Sequence, residues 1–83
     1  MKLMRTLNEA KVGETVKVLK LNGEGVLRRR IMEMGITKGC DVTLLNIAPL
    51  GDPIEVEIRG YSLTIRKKDA EIIEITDAKE VSI

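Results

Sequence analysis

The sequence predicts an all-β fold, a small barrel of about five antiparallel strands with one short inserted helix. Three observations predict it. Seventeen of the 83 residues are Ile or Val, β-branched side chains that pack well on a pleated surface. Two alternating, β-branched runs, Asp41–Ile47 and Ile54–Arg59, flank Ala48-Pro49-Leu50-Gly51-Asp52-Pro53. There, two prolines remove backbone donors and a glycine permits a reversal, so the flanks are expected to pair. Only one segment, Val26–Met34, keeps a convincing helical period.

The elements follow in order. Thr6 and Glu9 have the spacing of a capping box and start one helical turn that ends near Gly13, with Leu7 and Ala10 over one mouth of the barrel. Thr15–Leu21 reads as the first strand. Val16 and Val18 keep a period of two and then Leu19 and Leu21 switch face, which predicts a bulge or sharp bend. Asn22–Gly25 is a loop. In the helix, Leu27, Ile31 and Met34 form one apolar stripe, Gly35 suits the left-handed position after the last turn, and Ile36 packs back on it. A helix this short needs docking to persist.

Thr37-Lys38-Gly39 turns the chain into Asp41–Ile47, apolar in part on both faces. In the strand after the proline turn, Ile54, Val56 and Ile58 face inward and Glu55, Glu57 and Arg59 outward. Gly60-Tyr61 reverses the chain, Leu63 and Ile65 are the inward residues of the next strand, Arg66–Asp69 forms a short 3₁₀ turn, and Ile72–Thr76 is the last strand. The domain is expected to span residues 1–76, and residues 77–83 to follow as a loosely docked tail. Several short strands with tight turns favour a closed or partly open barrel, and closure removes exposed strand edges.

Composition narrows the function. The length holds one domain, with a core of ten Ile, nine Leu and seven Val against one Tyr and no Phe or Trp. Net charge is +1, too balanced for a general nucleic-acid coat. Locally the charge is polarised: Lys17–Arg30 holds five basic residues and one acidic, and Asp69–Glu80 five acidic and one basic. A lone Cys40 makes no intramolecular disulfide and fits a reducing cytosol. The charged N-terminus does not read as a signal peptide, and no apolar run approaches the length of a membrane helix. A cytoplasmic location is expected.

The order of motifs resembles the FeoA family of bacterial ferrous-iron uptake. The matching pieces run from Leu7 to Ile75. They include Gly13, Gly23-Glu24-Gly25, Arg28 to Ile36 with Gly39, Ala48 to Ile54, Gly60-Tyr61 with Leu63, Arg66, and Ala70 near Ile73. The family usually has leucine where Ile31 and Ile36 stand. The resemblance implies an SH3-like barrel and a partner, the membrane transporter FeoB with its cytoplasmic GTPase domain, which would recruit the protein to the inner face of the membrane. The same barrel resembles the C-terminal domain of iron- and manganese-dependent repressors. No DNA-binding domain accompanies it in this sequence, which favours a free-standing transport accessory.

Candidate partner-binding residues are Arg28, Arg29, Met32, Leu50 and Asp52. Arg28-Arg29-Arg30 spans most of a helical turn and offers a positive rim for acidic residues of a GTPase domain; alternatively it is a solvated face, with Arg30 and Glu33 paired locally. Met32 lies off the core stripe beside Arg28, as an adaptable contact or a peripheral core residue. Leu50 either stands on a stiff loop as an anchor or folds over the barrel, and the second is the expectation.

No catalytic, cofactor or metal site is expected. The chain has no His and one Cys, and Asp52, Glu55 and Glu57 are separated by turn and strand geometry. No nucleophile has an activating base beside it, and no glycine-rich phosphate loop with a Lys-Ser or Lys-Thr pair occurs. Tyr61 alone cannot line a proline-reading groove. The sequence therefore predicts an interaction module. A small nucleic-acid-binding barrel, or a regulatory domain acting on a repressor, remain the alternatives, although stacking aromatics for nucleic acid are nearly absent.

Overall fold

The computed structural model describes residues 5–77. In chain order they form β1 (Arg5–Thr6), a 3₁₀ turn (Leu7–Glu9), β2 (Thr15–Leu21), α1 (Gly25–Glu33), β3 (Asp41–Ile47), β4 (Ile54–Ile58), β5 (Tyr61–Ile65), α2 (Lys67–Ala70) and β6 (Ile73–Asp77). The strands make one antiparallel sheet in the order β1-β6-β2-β3-β4-β5. The strand count is six rather than five. The addition, β1, holds two residues paired with Ile75 and Glu74, too few for any periodicity to reveal. Of the tail expected from Asp77, the first residue ends β6, and residues 78–83 lie outside the described residues.

Two bulges bend the sheet. The register of β2 against β6 shifts between Val18 and Lys20, and that of β3 against β4 between Leu44 and Asn46. The first is the bend that the phase change in β2 predicts. It inserts Leu19, which is exposed, and so returns Leu21 to the buried face shared by Val16 and Val18. Leu19 thus does not join Leu21 inside. The second bulge inserts Leu45, also exposed, and explains why β3 reads as apolar on both faces.

Ile54, Val56 and Ile58 are buried while Glu57 and Arg59 are exposed and Glu55 is half-buried, as the alternation of β4 predicts. Leu7 and Ala10 are buried with them, as are Ile31, Ile36, Ile65, Ala70, Ile73 and Ile75. Every buried residue of the described chain is apolar.

Local details differ from expectation in instructive ways. Glu9 accepts the Thr6 N–H at 3.0 Å, but the turn closes by Ala10, well before Gly13. The helix begins at Gly25, one residue early. Its end follows the predicted design: Gly35 has φ +100°, its N–H bonds to Met32 O at 3.0 Å, and the Ile36 N–H reaches Ile31 O at 3.4 Å. That double closure is a Schellman motif, and it delivers Ile36 into the core. The reversal between β4 and β5 is Arg59-Gly60, both at positive φ, with Tyr61 already the first strand residue. Residues 67–70 form one α-helical turn in place of the expected 3₁₀ turn.

Candidate functional site

The outer face of α1 carries the first group of candidate residues. Because Leu27, Ile31 and Met34 turn toward the core, the residues opposite them must face water. Arg28, Arg29, Met32, Gly25 and Glu33 line an open depression of about 460 Å³. Met32 is 40% exposed, and both arginines are exposed. Arg28 Nε bonds to Leu21 O at 3.4 Å, which steadies its stem against the end of β2. Arg29 makes no ion pair among the described residues. The result is a flexible thioether between two guanidinium groups, suited to an apolar side chain with an acidic surround.

Arg30 does not pair with Glu33. Its Nη2 lies 3.8 Å from Asp69 Oδ2 on α2. The Asp69 carboxylate is well covered, and a carboxylate held there draws the guanidinium away from its own helix. Only two of the three consecutive arginines therefore belong to the outer face.

The second group sits on the turn between β3 and β4. Ala48 N–H bonds to Pro53 O at 3.0 Å and Gly51 N–H to Ala48 O at 2.7 Å, and the Asp52–Pro53 peptide is cis. Asp52 Oδ1 accepts the backbone N–H of Lys67 at 2.8 Å. With its base fixed this way, the turn projects Leu50 outward, and that side chain is 95% exposed. The expectation that Leu50 folds over the barrel is wrong, because the closing bonds leave its side chain on the convex side of the turn. Asp52 acts through the fold, by tying the turn to α2. Among the described residues no hydrogen bond or ion pair runs directly from Arg28, Arg29 or Met32 to Leu50 or Asp52.

Sequence reasoning missed a third cluster. Arg5 Nη1 and Nη2 grip Glu14 Oε2 and Oε1 at 2.9 and 3.0 Å, and the Lys11 N–H adds a bond to Glu14 Oε1 at 2.9 Å. The Arg5 hydrogen bonds first, and then the Lys11 amide, hold the Glu14 carboxyl down at about 2. This cluster pins the segment between β1 and β2. Nothing in the sequence separates Glu14, half-buried in the fold, from the other acids.

Among the described residues no group of three or more His, Cys, Asp or Glu side chains gathers in a way that suits a metal ion. No helix among them is long and apolar enough to cross a membrane.

Comparison with known proteins places this geometry. A family model described as the FeoA domain matches residues 5–77. A fusion of Fe(2+) transport protein A with the Fe(2+) transporter FeoB, from Porphyromonas gingivalis, is 38% identical over 69 residues, which are 83% of this chain and 8% of that protein. The chain thus spans a small fraction of that relative's length. Among solved structures, a FeoA-like protein from Clostridium acetobutylicum superposes with a TM-score of 0.85 at 40% identity, covering 94% of this chain and 91% of the other. FeoA from Stenotrophomonas maltophilia, a prokaryotic SH3 domain protein, superposes with a TM-score of 0.77 at 23% identity, covering 89% of this chain and 92% of the other. The fold is therefore the SH3-like barrel.

Proposed function

This chain belongs to the FeoA family, and from that premise we propose that it is a non-catalytic accessory of bacterial ferrous-iron uptake that docks on the cytoplasmic GTPase domain of FeoB. One observation carries the reading: a relative joins a segment 38% identical to this chain to a FeoB transporter in one polypeptide. Covalent linkage raises the effective concentration of one part for the other, which favours parts that touch. The protein then works in the cytoplasm, at the inner face of the membrane.

The docking surface comprises Arg28, Arg29 and Met32 on α1 and Leu50 on the β3–β4 turn, which Asp52 holds in place. Arginine and methionine suit an apolar contact rimmed by acids. Leu50 loses little freedom on docking because its loop is already closed. The absence of histidine from the sequence and its single cysteine agree with a binding role over chemistry. Docking changes transport only by favouring one conformational state of the transporter, since a partner that binds all states equally shifts none.

The test is a titration of labelled protein with the purified cytoplasmic domain of FeoB, loaded with GDP or with a non-hydrolysable GTP analogue. Binding that differs between the two loads is expected, and Arg28→Glu with Arg29→Glu weakens it. No binding to the domain in either load, and none to the full-length transporter, refutes the reading.

A further inference from the structure

The outer edge of β5 is open. β5 pairs with β4 on one side, and among the described residues no strand pairs with the other. Exposed edges are usually blunted by charge, proline or a bulge. Tyr61-Ser62-Leu63-Thr64-Ile65 has no charge and no proline, and its register against β4 runs unbroken from Ile58↔Tyr61 to Ile54↔Ile65. A two-residue turn makes Ile58 and Tyr61 a hydrogen-bonded pair, so alternation leaves the backbone N–H and C=O groups of Ser62 and Thr64 directed to the open side.

The side chains along this edge select what would fit. Tyr61, Leu63 and Ile65 share the inward face with Ile58, Val56 and Ile54. Ile65 is buried, Leu63 half-buried and Tyr61 53% exposed, so the apolar row is left incompletely covered. Cations bracket the strand, with Arg59 before it and Arg66, Lys67 and Lys68 after it, all exposed. None of the four forms an ion pair among the described residues. Asp52, on the β3–β4 turn, accepts the Lys67 amide and Asp69 pairs with Arg30.

We propose that the β5 edge is a strand-addition site for an extended segment of another protein, apolar at alternate positions and acidic at both ends. Main-chain bonds to Ser62 and Thr64 would set its register, its apolar residues would continue the row of Tyr61 and Leu63, and its terminal acids would meet Arg59 and Arg66–Lys68. A second copy of this chain fits poorly. Antiparallel pairing of two β5 strands centred on Leu63 would bring the Arg59 turn of each copy to the end of the other's strand where Arg66, Lys67 and Lys68 lie, gathering like charges at both ends of the pair. This edge is separate from the α1 face, and its occupant is defined by chemistry without reference to FeoB.

The test uses the full chain and a synthetic peptide of alternating valine and threonine with two glutamates at each end, beside a control with lysines in their place. On adding the acidic peptide, the Ser62 and Thr64 amides slow in hydrogen exchange, and the lysine-ended peptide binds about tenfold more weakly or not at all. Arg66→Glu with Lys68→Glu reverses that preference. Thr64→Pro removes one outward N–H and spares the β4 ladder, so the acidic peptide no longer binds; should that variant fail to fold, the charge reversal decides. Equal affinity for both peptides, or chemical-shift changes confined to α1, overturns the proposal. Protection of Ser62 and Thr64 that grows with protein concentration alone overturns it in favour of self-association.

Discussion

The Asp52 carboxylate accepts the Lys67 amide hydrogen at 2.8 Å, fifteen residues away in sequence. Arg66, in the N-cap position of α2, makes no side-chain cap of its own. A loop acid therefore caps a helix that it precedes by a whole hairpin. Since Asp69 of that helix pairs with Arg30, the β3–β4 turn, α2 and α1 form one chain of polar contacts outside the apolar core.

Asp52→Ala removes this cap and is expected to lower stability by about 1 kcal/mol, the usual effect of losing a helix cap. Chemical denaturation measures it. Amide exchange at Leu50 and Gly51 rises in the same variant, because the turn loses its tie to α2. A variant as stable as the parent, with unchanged exchange, would show that the bond contributes nothing.

Leu50→Ser is expected to leave stability within about 0.5 kcal/mol, as exposed substitutions usually do. The same change weakens binding to the FeoB cytoplasmic domain. If affinity stays at the parental value, Leu50 does not belong to the docking surface.

The Arg5–Glu14 pair makes stability depend on pH in the acid range. The Glu14 carboxyl sits at about 2 when folded, against its ordinary 4.5. A depressed folded value contributes stability that is fully present above pH 4.5 and is lost as pH falls toward 2. Melting temperature should therefore fall across that interval. Glu14→Gln should be less stable at neutral pH and show a shallower decline in acid. Parallel pH profiles for parent and variant would contradict the assignment.

Val56 and Glu57 are neighbours in sequence with opposite fates, one fully buried and the other exposed. Val56→Asp places an unpaired charge in an aliphatic core and should unfold the domain, or cost more than about 4 kcal/mol. Glu57→Lys should leave the melting temperature almost unchanged. Equal melting temperatures would overturn the facing of β4.

The elements that were legible in the sequence are those held by local chemistry. β4 announces itself through strict alternation, and α1 through its stripe and the Gly35–Ile36 ending. The bulge in β2 is legible because Leu21 breaks a period that Val16 and Val18 establish. What stayed hidden depends on partners distant in the chain. β1 exists only because Ile75 and Glu74 pair with it. Arg30 leaves Glu33 for Asp69, and the β3–β4 turn is tied to α2 by the bond from the Lys67 amide to Asp52. The α1 face could be read from helical spacing alone. The edge of β5 could not, because a strand's place at the margin of a sheet is set by the whole topology.

Tyr61 is the only aromatic residue in the sequence, and its hydroxyl lies 3.6 Å from where a side chain at Gly35 would begin. The protein thus carries one natural fluorophore, poised where the close of α1 meets the start of β5. Its ultraviolet emission can follow events at that corner with no added dye and no competing signal. A strand that settled alongside would alter that emission, while a ligand confined to the far side of the helix would leave it steady.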